Sequence, residues 1–219
     1  MLKIQISEYD PTWPAIFERI KESLTAILTA SGVPILAIEH IGSTSVPNLA
    51  AKPIIDIDIV VAPTSITAAY QALSFGGYAF NPENTGIDRM SFRWNGHTHD
   101  SGASRPTEDG EVRRAVYLNM PGGVSLQNHL AVREVLRRDE GLREEYSEVK
   151  RRLAEQEFSG IGAYGGAKSA VLRKILGRSE IGTEAMEGIT SVNPVGKEVR
   201  AEGREMRGFA IGLTGGGEV

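Results

Sequence analysis

Apolar and polar residues alternate at the start of the chain, with Leu2, Ile4 and Ile6 against Lys3, Gln5 and Ser7, which predicts a short edge strand. The rhythm then lengthens. Ile16, Phe17, Ile20, Leu24, Ile27 and Leu28 recur at helical spacing behind the turn Tyr9-Asp10-Pro11-Thr12-Trp13-Pro14. Asp10 or Thr12 suits the N-cap, the two prolines suit a first turn, and Ser31-Gly32 ends the helix. An apolar run from Pro34 to His40 predicts a strand that leads into Gly42-Ser43-Thr44-Ser45. Ile54 to Val61 is dense in β-branched residues and predicts the next strand. Thr64 then caps a helix to about Phe75 that buries Ile66, Ala69, Tyr70 and Leu73, and Gly76-Gly77 closes it.

Tyr78 to Phe80 reads as a brief strand, and residues 113–120 as a longer one. Between them, residues 81–111 are rich in Asn, Gly, Ser, Asp and Pro and predict a long loop around Ser91-Phe92-Arg93-Trp94. Residues 126–156 predict two charged helices parted at Gly141. Leu130, Val132, Val135 and Leu136 form the apolar stripe of the first, and Leu142, Tyr146, Val149 and Leu153 that of the second. A last helix is predicted over 164–176. Beyond Gly177 the chain turns to Gly, Glu, Ser and Thr without aliphatic periodicity. The expected organisation is one domain over 1–177 and a disordered, Gly-rich tail over 178–219.

Composition narrows the function classes. The net charge of −4 over 219 residues supplies no global basic field, so a nucleic-acid partner is not expected. The absence of cysteine excludes disulfides, thiolate zinc sites and a cysteine nucleophile. Met1-Leu2-Lys3-Ile4-Gln5 lacks the apolar core of a signal peptide, and no run approaches the ~18 apolar residues of a membrane span. The expectation is a cytoplasmic protein with no membrane partner.

Two acids break the apolar run of the third strand. Strand periodicity points Asp56 and Asp58 to one face, where like charges repel unless a cation sits between them. Mg²⁺ is held in this manner by one or two carboxylates together with phosphate oxygens. Gly42-Ser43, just upstream, offers backbone N–H groups and a hydroxyl to a phosphate. The competing reading is a half-exposed strand whose solvent face carries two aspartates. His40 is either a base or phosphate contact or a strand-end histidine bonded to structure. Lys52 either reaches a phosphate or lies on the surface. Arg133 and Arg137, at i,i+4, share a helix face that either grips a polyphosphate or meets water. His97 and His99 lack further spaced ligands, and His129 reads as a residue near a helix start.

The segment E-H-I-G-S-T-S-V-P-N-L-A-A-K-P-I-I-D-I-D resembles the GrpB family, within the DNA polymerase beta-like nucleotidyltransferase superfamily. The opening Y-D-P-T-W-P, the helical R-D-E-G-L-R and Y-S-E-V-K-R-R-L-A, and Tyr164 with Lys168 extend the likeness over about 1–177. It implies an α/β fold of α+β type: a small mixed nucleotidyltransferase-like sheet with flanking helices and a C-terminal helical part. The implied activity is Mg²⁺-dependent binding of a nucleoside triphosphate and transfer of a nucleotide to an unknown acceptor. Asp56 and Asp58 would be the catalytic metal ligands, and Gly42, Ser43, Lys52, Arg133 and Arg137 the phosphate contacts. The alternative is a non-catalytic binder of a nucleotide or coenzyme A-like phosphate ligand. The superfamily adds a third acid from a neighbouring strand. Here that strand offers Asn119, and the H-x-H-V of many family members is missing. Catalysis therefore stays open, with Asp88 and Glu111 as the substitutes to look for.

Overall fold

The computed structural model describes residues 1–86, 88–94 and 112–179. A five-stranded mixed sheet forms its centre, in the order β2 (Ala37–Ile41), β3 (Ile54–Val60), β6 (Arg113–Asn119), β5 (Arg89–Trp94), β4 (Tyr78–Phe80). Only β3 and β6 run parallel; the other neighbours are antiparallel. The small mixed sheet with flanking helices is the fold class expected from the sequence.

Alternation along the strands divides the sheet into two unlike faces. Ile55, Ile57, Ile59, Phe92, Val116 and Leu118 point one way and are buried. Against them pack α1 (Trp13–Ala30), through Phe17, Ile20, Leu24 and Leu28, and α2 (Ile66–Phe75), through Ala69 and Leu73. The other face carries Asp56, Asp58, Tyr117, Asn119, Arg89, Ser91 and Arg93, which the register sets side by side.

The C-terminal half covers that polar face. It comprises α3 (Val124–Arg138), α4 (Glu140–Ala154), α5 (Ile161–Ala167) and α6 (Ser169–Leu176). A second apolar cluster of Val135, Leu136, Tyr146 and Ile175 closes around Val46 and Leu49, so the segment after the Gly-Ser turn is the hinge pin between sheet and helices. A third joins Ile4, Leu153, Phe158 and Tyr164. Among the described residues no helix is long and apolar enough to cross a membrane.

Four local expectations change. The first strand, β1 (Leu2–Lys3), pairs with β7 (Glu157–Phe158) in a sheet of its own instead of edging the main one. The stretch around Phe92, expected as loop, is β5, whose Ser91, Phe92 and Arg93 pair with Tyr117, Val116 and Ala115. The break between α3 and α4 falls at Asp139, whose carboxylate accepts the Leu142 N–H at 2.9 Å, and Gly141 lies inside α4. The last helix is two, parted at Lys168. Of the tail expected over 178–219, residues 180–219 lie outside the described residues, as do His97, His99 and Glu111.

Candidate functional site

Gly42 follows β2 with φ +69° and ψ −172°, a conformation that L side chains rarely adopt. It also lies against Asp56: a Cβ added to Gly42 would stand 2.3 Å from Asp56 Oδ2. Glycine is thus required twice, for the backbone angle and for the close approach. The short helical turn Ser43–Ser45 follows. Its backbone is pinned by Ser45 Oγ, which donates to the Gly42 carbonyl at 2.7 Å, and by Thr44 Oγ1, which donates to the Ile54 carbonyl at 3.0 Å. The turn is thereby tied to the first residue of β3, the strand that carries both aspartates. Ser43 faces the helices, where Lys150 Nζ donates to its Oγ at 3.0 Å and the Tyr146 hydroxyl shares a hydrogen bond with it.

The two aspartates share a sheet face but not an environment. Asp56 is half-buried and lines a cavity of about 320 Å³. It accepts a hydrogen bond from the Tyr117 hydroxyl. Burial pushes its carboxyl up to about 6, a shift moderated by the positive charges of Lys168 and Lys52. Asp58 is 0% exposed and engaged at both oxygens: Asn119 Nδ2 donates to Oδ1 at 2.9 Å, and His129 Nδ1 lies 2.8 Å from Oδ2. Arg89 Nη1 lies 2.8 Å from His129 Nε2. A guanidinium only donates, so Nε2 accepts and the ring proton sits on Nδ1, directed at Asp58.

Around Asp56 the cavity wall is cationic. Lys52, Arg93, Arg113, Arg114, Lys150 and Lys168 line it, with Ser43, Ser91, Tyr117 and Tyr164. Lys150 is 2% exposed. Its burial, together with the charges of Lys168 and Arg151, drives its ammonium well below the usual lysine range. Sequence reasoning passed over Lys150 and Lys168 as site residues. The signal was present: both stand in a Y-x-x-x-K spacing that lays each lysine over the tyrosine one turn earlier. Nζ lies 4.2 Å from the Tyr146 ring centroid and 4.4 Å from that of Tyr164.

Three candidates stand elsewhere. His40 is on the opposite, helix-covered face, because its neighbour Ile41 is the residue that pairs with Asp56. It stacks on Phe17 at 4.7 Å, and its Nε2 lies 3.1 Å from Thr44 Oγ1. The hydroxyl proton of Thr44 already goes to Ile54, so Nε2 donates. Burial first, then the charges of Arg137 and Arg133, lower this imidazole to about 4. His40 therefore lies outside the cavity at Asp56. Arg133 and Arg137 do share a helix face, but that face meets β2 and the back of the turn. Arg133 Nη1 donates to the His40 carbonyl at 2.8 Å and to Glu39 at 2.9 Å. Arg137 gives Nε (3.1 Å) and Nη2 (2.8 Å) to the Ser45 carbonyl. They clamp the backbone on both sides of the Gly-Ser turn and do not line the cavity. Gly42, Ser43, Lys52 and Asp56 are brought together, with Asp58 one residue pair deeper.

The neighbouring strand settles which side chain opposes the aspartates. Tyr117, paired with Asp58, takes that place; Asn119 lies one step further, opposite Val60. Asp88 is used up as a cap, accepting from the Ser125 N–H at 2.9 Å and from its hydroxyl. Among the described residues no group of three or more acidic, histidine or cysteine side chains is arranged to hold a metal ion. A Mg²⁺ ion needs fewer, since phosphate oxygens and water complete its shell. Asp56 fits as one such ligand: it is partly open, costly to ionise alone, and held at the cavity floor. Asp58 would have for a metal only the lone pairs that Asn119 and His129 leave over.

Comparison with known proteins agrees with this arrangement of turn, sheet and helices. A protein of Mycolicibacterium paratuberculosis named dephospho-CoA kinase is 30% identical over 186 residues, which cover 75% of this chain and 43% of that protein. The UPF0157 protein BH1888 of Halalkalibacterium halodurans is 33% identical over 177 residues, 80% of this chain and 82% of its own. The crystal structure of the conserved protein GrpB from Enterococcus faecalis matches with a TM-score of 0.62 at 29% identity, over 84% of this chain and 98% of that one. The family model described as GrpB protein matches residues 3–178, a span that takes in the Gly-Ser turn, both aspartates and both tyrosine–lysine pairs, and the chain belongs to the GrpB family.

Proposed function

We propose that this protein binds a nucleoside triphosphate with Mg²⁺ in the cavity at Asp56 and transfers its nucleotide to an acceptor. The observation that carries this reading is a charge contrast. A chain with net charge −4 gathers the basic side chains of Lys52, Arg93, Arg113, Lys150 and Lys168 around one half-buried carboxylate and a glycine-serine turn. Such a lining suits a polyanion accompanied by a metal ion. Ser43 and the turn N–H groups would meet a phosphate, with Lys52, Lys150 and Lys168 neutralising its charge. Asp56 and Asp58 would hold Mg²⁺, which when bound offsets phosphate charge and lowers the pKa of an attacking hydroxyl. Arg133 and Arg137 would act from behind, by keeping the turn in place.

Calorimetric or thermal-shift titration with ATP and the other nucleoside triphosphates, with and without Mg²⁺, tests binding. The expected result is Mg²⁺-linked stabilisation that Asp56→Asn removes. Nucleotide stabilisation that is indifferent to Mg²⁺ and to Asp56 would sink the metal reading.

A second reading, a non-catalytic binder of a nucleotide or a coenzyme A-like ligand, draws on two observations. Tyr117 replaces the third acid, and Asp58 is closed off by His129 and Asn119. The relative named dephospho-CoA kinase is consistent with that ligand class. Nucleotide labelled at the α-phosphate separates the two: label on an acceptor after denaturation supports transfer, label lost on denaturation supports binding alone.

A further inference from the structure

The two partners of Asp58 are unequal. Asn119, which donates to Oδ1 at 2.9 Å, is 0% exposed and ends β6, and its amide is also tied to the Tyr117 carbonyl at 3.5 Å. It is fixed with the strand. His129 Nδ1, 2.8 Å from Oδ2, belongs to a side chain on α3 that stands 22% open to solvent. A change of rotamer carries this ring outward and frees Oδ2 with the backbone in place. Arg89 opposes that turn. Its Nη1 lies 2.8 Å from His129 Nε2, and its guanidinium sits 4.8 Å from the Tyr117 ring centroid. Its Nε is buried without a hydrogen-bond partner, so His129 and the Tyr117 ring are what seat it. Tyr117 in turn donates to Asp56, and Asp58 is close enough to raise the Asp56 carboxyl. A continuous run of side chains thus joins one aspartate to the other.

We propose that His129 is a positioning residue, a latch that holds Asp58 away from the metal and admits it as a second carboxylate ligand when the ring turns out, with Arg89 as the catch. Latched, the site offers a cation Asp56 alone; released, it offers both aspartates. A hydrogen bond to an ionised carboxylate is among the strong ones, so the latched state dominates without a ligand and metal affinity is reduced by the cost of release. The proposal rests on the metal half of the function given above and is independent of the nucleotide.

Mn²⁺, whose free fraction is read directly by electron paramagnetic resonance, is the probe, titrated into the full chain without nucleotide. His129→Ala should tighten Mn²⁺ at least tenfold, and Asp58→Asn in the same chain should cancel that gain. Made alone, Asp58→Asn should cost less than it does beside His129→Ala. His129→Asn, whose amide N–H stands where the Nδ1 proton stood, should stay within threefold of wild type, which a merely structural or steric role of the ring would not produce. Arg89→Met, which leaves the ring in place and removes the catch, should tighten Mn²⁺ at least threefold and gives a second route should His129→Ala fold poorly. No tightening in either variant, tightening that survives Asp58→Asn, or equal tightening in His129→Asn would overturn the latch. ATP binding, followed separately by calorimetry, decides the other reading: a chain that ignores ATP but shows this Mn²⁺ cycle loses the nucleotide and keeps the latch.

Discussion

At Gly42 a single methyl group would meet a carboxylate oxygen. Gly42→Ala therefore combines strain at φ +69° with a contact of 2.3 Å to Asp56. A cost on the order of 1–3 kcal/mol is expected in urea denaturation, with weaker nucleotide binding because the turn must shift away from the cavity. Asp56 and His40 make a pair of pH predictions with opposite signs. The Asp56 carboxyl, held at about 6 against an ordinary 3.8, binds its proton more tightly in the folded state. Its contribution is present at low pH and is lost as pH rises from about 4 to 6. His40, held at about 4 against 6.5, binds its proton more weakly when folded, so its contribution is present above 6.5 and is lost as pH falls towards 4. The wild-type chain should show a shallow dependence across that window. Asp56→Asn should unmask a decline on acidification and raise the stability of the ligand-free protein at pH 7. The expected gain is about 1–2 kcal/mol, less than the full shift would supply, because the group keeps some contact with water. Thermal unfolding from pH 4 to 8 checks both signs; a variant less stable than wild type at pH 7 would refute the burial argument.

Among the elements, α3 has a role that its sequence conceals. Arg133 and Arg137 were legible as two arginines on one helix face, and i,i+4 spacing can say no more than that. Whether the face meets phosphate or backbone depends on how the helix docks on β2, a contact more than ninety residues away in sequence. Arg137→Ala is expected to weaken nucleotide binding about tenfold while leaving its Mg²⁺ dependence intact, and Arg137→Lys should not restore it, since one ammonium cannot replace two guanidinium donors to the Ser45 carbonyl. Calorimetry with and without Mg²⁺ distinguishes this from loss of a direct phosphate contact, which lysine would partly replace. The same distinction between local and distant information explains what else was readable. β3 announced itself through Ile54, Ile55, Ile57, Ile59 and Val60, and α1 through its apolar stripe. β5 did not, because Arg89, Ser91 and Arg93 point to the polar cavity face and take strand form by pairing with β6 and β4. His129 gave no signal either: its partner Asp58 lies 71 residues earlier.

For the molecule as a whole, the sheet is a partition. Apolar helices close one face, and charged helices close the other around a cavity in which Lys150 is buried with no carboxylate partner among the described residues. Its Nζ meets the Ser43 hydroxyl and the face of Tyr146. Burial holds this amine well below the usual lysine range, so its charge is expensive until an anion arrives. A phosphate chain entering the cavity reverses that balance, and binding should draw a proton from solvent. Affinity for the nucleotide is then expected to rise as pH falls through the alkaline range, with net proton uptake in calorimetry repeated in buffers of different ionisation enthalpy. At pH 8 the Asp56 carboxyl is already ionised, so Mg²⁺ binding there releases little from it and the uptake belongs to the lysine. Lys150→Met should abolish the uptake and weaken the nucleotide, whereas Lys168→Met, which removes the neighbouring positive charge, should leave the uptake smaller but present. Uptake unchanged in Lys150→Met would mean that the proton goes elsewhere and that this amine is charged before any ligand binds.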